Sequence, residues 1–116
     1  MIRDDLSALE RMIARLSAQR ACLALACTLV RNVEGPVFEL GLGKGRTFDY
    51  LRKHLPERPI YAFDCEVHAP HYLLPTSEHL IVGDFFEPLP TLTNDLGKPA
   101  ALVHAHIGSR DWAYDA

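Results

Sequence analysis

No C-x-x-C pair occurs in these 116 residues, and the three cysteines, Cys22, Cys27 and Cys65, are an odd number. That argues against a disulfide framework and for reduced thiols in a cytoplasmic protein. An excess of positive charge is also missing. The formal net charge is −3 and no run of five like charges occurs, so neither a nucleic acid partner nor a broad phosphate-binding face is indicated. The longest apolar stretch, residues 21–26 with 28–30 just after it, is too short to span a membrane. The acidic N-terminus has no signal-peptide core. Repeats, low-complexity segments and linkers are absent as well. What is present is ordinary for a globular chain, 48% hydrophobic and 23% charged residues, in a length that suits one domain with a real core.

The most informative stretch is 36–47, Pro-Val-Phe-Glu-Leu-Gly-Leu-Gly-Lys-Gly-Arg-Thr. Residues 37–40 are an apolar run that fits a buried parallel strand. Gly41, Gly43 and Gly45 follow at alternate positions. Phe48, Leu51 and Leu55 then recur at helical spacing. Strand, glycine turn and helix together make a cofactor loop: glycine lets a ligand approach the backbone, and the helix start offers free N–H groups. An ordinary strand-to-helix turn is the alternative for this segment alone. The dinucleotide fingerprint G-x-G-x-x-G fits poorly, because Arg46 stands at its third glycine position. Glu39, two residues before the first glycine, would repel a pyrophosphate and attract an ammonium group.

The rest of the chain alternates helices and strands. Leu6, Leu9, Ile13, Leu16, Arg20, Leu23 and Cys27 recur at spacings of three and four, which predicts helix over 4–31 in one or two pieces, capped by Asp4 or Asp5. Gly35 and Pro36 end it. The pattern predicts a second helix over 46–55 and further strands over 60–63, 79–82 and 100–107. It also predicts at most one short helix between residues 65 and 78, and another near 90–96. β–α–β connections of this length make a parallel sheet. In such sheets ligands bind beyond the carboxyl ends of the strands, where Gly41, Asp64, Asp84 and His106 all fall. Asp64, about 20 residues past the glycine turn, is placed to accept from ribose hydroxyls. Its replacement is expected to weaken binding at little cost in stability. A strand-end aspartate capping its own turn is the simpler alternative.

Glu39-Leu-Gly-Leu-Gly-Lys-Gly45, Ile60-Tyr-Ala-Phe-Asp64 and Leu80-Ile-Val-Gly-Asp-Phe85 resemble, in order and spacing, three successive motifs of the class I S-adenosylmethionine-dependent methyltransferases. Within that superfamily the chain looks most like a small bacterial group with an S-x-Q-R-A-C-L helix, here residues 17–23, ahead of E-L-G-L-G-x-G-R-T. The resemblance implies a Rossmann-like three-layer α/β/α sandwich whose parallel sheet has the order 3-2-1-4 in the part present. It implies S-adenosyl-L-methionine as cofactor. The cofactor-binding set would be Glu39, Gly41, Gly43, Gly45, Arg46, Thr47, Asp64, Cys65, Gly83, Asp84 and Phe85. Arg46 and Thr47 would lie near the methionine carboxylate. Gly83, Asp84 and Phe85 would hold the adenine.

The family's fold resembles seven strands, and this sequence supplies four. The expectation is therefore a single cofactor-binding domain over 1–116, incomplete at its C-terminus, with a helical segment over 1–35 and a core over 36–107. A non-catalytic cofactor-binding or scaffold module is the alternative reading, and a nucleotide-binding domain the third. His106, at the end of the fourth strand, is either a general base or a bystander. No metal is expected: Cys65, His68, His71, His104 and His106 do not make a familiar zinc spacing. The fourth strand is too apolar for an exposed edge, so a covering segment or a second copy of the chain is expected beside it. The methyl acceptor stays open among small molecule, protein and RNA.

Overall fold

The computed structural model describes residues 5–83 and 96–105. Its first element, α1, spans Ala8–Leu29 as one uninterrupted helix. Its cap is Ser7 rather than Asp4 or Asp5. The Ser7 hydroxyl accepts from the Glu10 backbone N–H while the Glu10 carboxylate accepts from that of Ser7, a reciprocal box that satisfies two orphan donors. At the far end the helix closes without a glycine. The Arg58 guanidinium instead donates to the carbonyls of Val30, Arg31 and Gly35.

Strand β1 is Val37–Leu40, bounded by Pro36 and Gly41. Helix α2 is Arg46–His54, and β2 is Ile60–Asp64. Two single 3₁₀ turns, His71–Leu73 and Ser77–His79, occupy the proline-rich stretch that follows. Strand β3 is Leu80–Val82 and β4 is Leu102–Ala105. All pairings are parallel and the order is β3-β2-β1-β4, a Rossmann-like α/β arrangement. The expected helix near 90–96 falls almost wholly outside the described residues, as do Asp84, Phe85 and His106.

Side chains alternate across a strand, so the register sorts the sheet into two faces. Val37, Ile60, Ala62 and Leu102 point to the helices. They pack with Leu23, Cys27 and Val30 at the end of α1 and with Phe48, Leu51 and Leu55 around α2. Phe38 and Phe63 lie on the other face, edge to face with ring centroids 5.4 Å apart. Glu39 shares the helix-side face with Val37, and it is fully buried.

Only the C-terminal part of α1 joins this core. Leu9, Ile13 and Leu16, expected on its packed stripe, are exposed, and so is Met12. An 18-residue window of α1 averages 1.2 in hydropathy, so by length and composition alone this helix is long and apolar enough to cross a membrane.

Candidate cofactor site at the carboxyl end of the sheet

The loop between β1 and α2 is held in three ways. Gly41, Gly43 and Gly45 have φ of 90°, 55° and 84°, a left-handed path that a side chain resists. Leu42 sends its side chain down into the core, where it is 1% exposed. Asp64, at the end of β2, reaches across the loop. Its Oδ2 accepts from the backbone N–H of Leu42 at 2.9 Å and of Gly43 at 3.2 Å. Among the described residues, its Oδ1 meets only the Glu66 N–H, at 3.4 Å. The two oxygens thus have different duties: one anchors the loop, and the other has room for further donors.

The three glycines are not equivalent. Gly41 continues the ladder, donating to the Phe63 carbonyl at 2.6 Å. Gly45 is buried against the first 3₁₀ turn. A Cβ there would stand 2.9 Å from Leu73 Cβ and 3.2 Å from Ala69 Cβ, so protein rather than ligand requires its small size. Gly43 keeps part of its surface in solvent, with Lys44 and Arg46 exposed on either side of Gly45.

Glu39 lies beneath this loop with both oxygens engaged. Oε2 accepts from the Thr47 hydroxyl at 2.7 Å. Oε1 pairs with Nδ1 of His104. Glu39 and His104 are direct partners in the β1–β4 register. Glu39 raises the His104 pKa above its ordinary value, through the hydrogen bond first and its charge as well, while burial pulls the other way. The carboxylate therefore does not reach the surface where an ammonium group would meet it directly. Thr47, 5% exposed, spends its proton inside the protein.

Of the other residues singled out by sequence, Cys65 is exposed just past Asp64. Gly83 donates to the Asp64 carbonyl at 2.9 Å, which puts the end of β3 beside that of β2. His104 was the residue missed as a partner of Glu39. Part of the signal was present: the order 3-2-1-4 makes their strands neighbours, but a fourth strand read from residue 100 rather than Leu102 does not align the two.

Residues 6–116 match a protein family described as S-adenosyl-L-methionine methyltransferase. The chain is similar to an S-adenosyl-L-methionine methyl transferase of known crystal structure from Silicibacter pomeroyi DSS-3, with 40% identity and a TM-score of 0.82. That likeness covers 95% of this chain and 68% of the other. No curated protein matches.

Proposed function

The chain belongs to the S-adenosyl-L-methionine methyltransferase family, and from that premise we propose that S-adenosylmethionine sits over the β1–α2 loop with its ribose on Asp64. The carrying observation is the Asp64 carboxylate, laid across the Leu42 and Gly43 N–H groups with Oδ1 lightly held. An ionised carboxylate accepts both hydroxyls of a diol. The loop fits this ligand better than a pyrophosphate. Two of the N–H groups that would cradle a phosphate already serve Asp64, and a second carboxylate, Glu39, is buried below.

When bound, the cofactor supplies an electrophilic methyl group on a sulfonium. The residues of the chain position it. Gly43 leaves the loop open to close approach, and Arg46, exposed at the first position of α2, supplies a cation for the methionine carboxylate. Gly83, with Asp84 and Phe85 beyond the described residues, supports the adenine reading through its place at the end of β3. The thiols of Cys22, Cys27 and Cys65 are free, which supports a reducing, cytoplasmic setting.

Titration calorimetry with S-adenosylhomocysteine and with NAD tests the assignment. Binding of S-adenosylhomocysteine alone, lost in Asp64→Ala, is the expected outcome. Preference for NAD, or no binding of S-adenosylhomocysteine, would overturn it.

A further inference from the structure

Glu39 is the one carboxylate sealed inside the described part of the sheet, at 0% exposure. Burying such a charge is costly unless other groups of the chain meet it. Here the donors come from two different elements. Thr47 is the second residue of α2, so its bond to Oε2 fixes where the helix start lies over the sheet. His104 reaches Oε1 from the neighbouring strand. Three elements, β1, α2 and β4, thus meet on one carboxylate under the cofactor loop.

We propose that His104 is a positioning residue for the cofactor loop, clamping Glu39 together with Thr47 and deciding whether that buried charge is balanced from within the chain or acts on a cationic ligand. The inference rests on the reading of the loop as the S-adenosylmethionine site. A bond from Nδ1–H to an ionised carboxylate selects the Nδ1–H tautomer of the neutral ring and leaves Nε2 as the position that takes up a proton. With the ring neutral, the clamp carries one negative charge. With the ring protonated, its charge is zero. Glu39 is the charged group that meets the imidazole from β1. Among the described residues, Asp64 of β2, Lys44 of the loop and Arg46 at the start of α2 are further charged groups at this end of the sheet.

The consequence is a difference between two ligands. S-adenosylmethionine carries one more positive charge than S-adenosylhomocysteine, and its sulfonium also lowers the pKa of its own ammonium group. The ligands' own titration is the same for every variant of the protein, so the affinity ratio in wild type divided by that in His104→Gln reports the charge of the site. Loss of the His104 proton should favour S-adenosylmethionine over S-adenosylhomocysteine. By linkage, S-adenosylmethionine should make that proton easier to lose.

The experiment uses the full 116-residue chain between pH 5.5 and about 8.5, the range that brackets an ordinary histidine. Imidazole resonances are followed by NMR with and without each ligand, and both affinities are measured by calorimetry for wild type, His104→Gln and Glu39→Gln. The expected result is a preference for S-adenosylmethionine in wild type that, relative to His104→Gln at the same pH, rises about fivefold or more across the range. The His104 titration should also move to lower pH when S-adenosylmethionine is added, and in Glu39→Gln. A His104 titration unmoved by either change overturns the clamp, and this part of the test needs no His104 variant to fold. So does a His104→Gln protein that keeps the wild-type ratio profile. Failure of wild type to bind either ligand overturns the cofactor reading itself, whereas binding without coupling overturns only the clamp.

Discussion

Removing the Asp64 carboxylate should cost stability as well as affinity, and the structure says roughly how much of each. Oδ2 accepts two backbone N–H groups of the glycine loop, at 2.9 and 3.2 Å. A hydrogen bond to a charged group contributes about 1.5–3 kcal/mol net. Gly43 keeps some contact with solvent, so in Asp64→Ala the freed donors regain water and the low end of that range applies. Two such bonds give about 3 kcal/mol. At roughly 4 °C per kcal/mol for a domain a little over 100 residues, the midpoint should fall by about 12 °C. The sequence alone led to the opposite expectation, because it showed the aspartate as a ligand holder and not as the strut of its own loop. Asp64→Asn separates the two duties. Its carbonyl oxygen can still take the loop donors, in neutral bonds worth about 0.5–1.5 kcal/mol each. Its amide nitrogen then faces hydroxyls that need an acceptor. Asn should therefore recover about half the lost stability and little of the binding, with S-adenosylhomocysteine affinity at least about tenfold below wild type. Urea denaturation and calorimetry on the same samples measure both. An unchanged urea midpoint in Asp64→Ala would refute the strut, and wild-type affinity in both variants would refute the ribose contact.

The His104–Glu39 pair carries its own pH signature. The folded-state pKa of His104 is raised, so the pair's contribution is complete below the ordinary histidine value near 6.5 and fades as pH climbs through the folded value. The stability gap between wild type and His104→Gln should accordingly narrow from pH 6 to pH 9; a gap independent of pH would count against the pair. Gly45→Ala forces a Cβ to within 2.9 Å of Leu73 at φ 84° and should destabilise by about 1–3 kcal/mol. An unaltered urea midpoint would show that the 3₁₀ turn yields freely. Strand β4 is the outer strand among the described residues, and Val103 on it is exposed. The 116-residue chain is expected to self-associate through this edge in sedimentation, and a soluble monomer with full cofactor affinity would exclude that.

The parts of the fold that depend on neighbours in sequence were legible. Val37–Leu40 could be read from an apolar run closed by Pro36 and Gly41, and the start of α2 from the glycines before it. The order 3-2-1-4 came with the resemblance those motifs carry. Interactions between distant residues were harder to see. A helical stripe shows which side of α1 is apolar but not how far along it a partner reaches, so Leu9 and Ile13 looked like core beside Leu23. Glu39 read as a ligand contact because its two donors arrive from 8 and 65 residues away. Gly45 read as cofactor space because nothing near it in sequence announces Leu73. Ser7 is the exception: the glutamate three residues on is a local signal of the capping box.

Arg58 sets an order of events during synthesis. The carbonyls at the end of α1 are made first, and the guanidinium that joins the Val33 N–H on that of Val30 lies 28 residues later. At the usual 5–20 residues per second, the interval is about 1.4–6 s. Throughout it α1 lacks the arginine at its C-terminal turn and has only β1 of the sheet to lie against, since β2 follows Arg58. Helix α1 is thus locked only after α2 has been made. Stalled nascent chains with residue 58 still inside the exit tunnel should show fast amide exchange at Val30 and Val33, and chains in which Asp64 has emerged should show protection there. Equal protection in both would mean that α1 closes without its arginine.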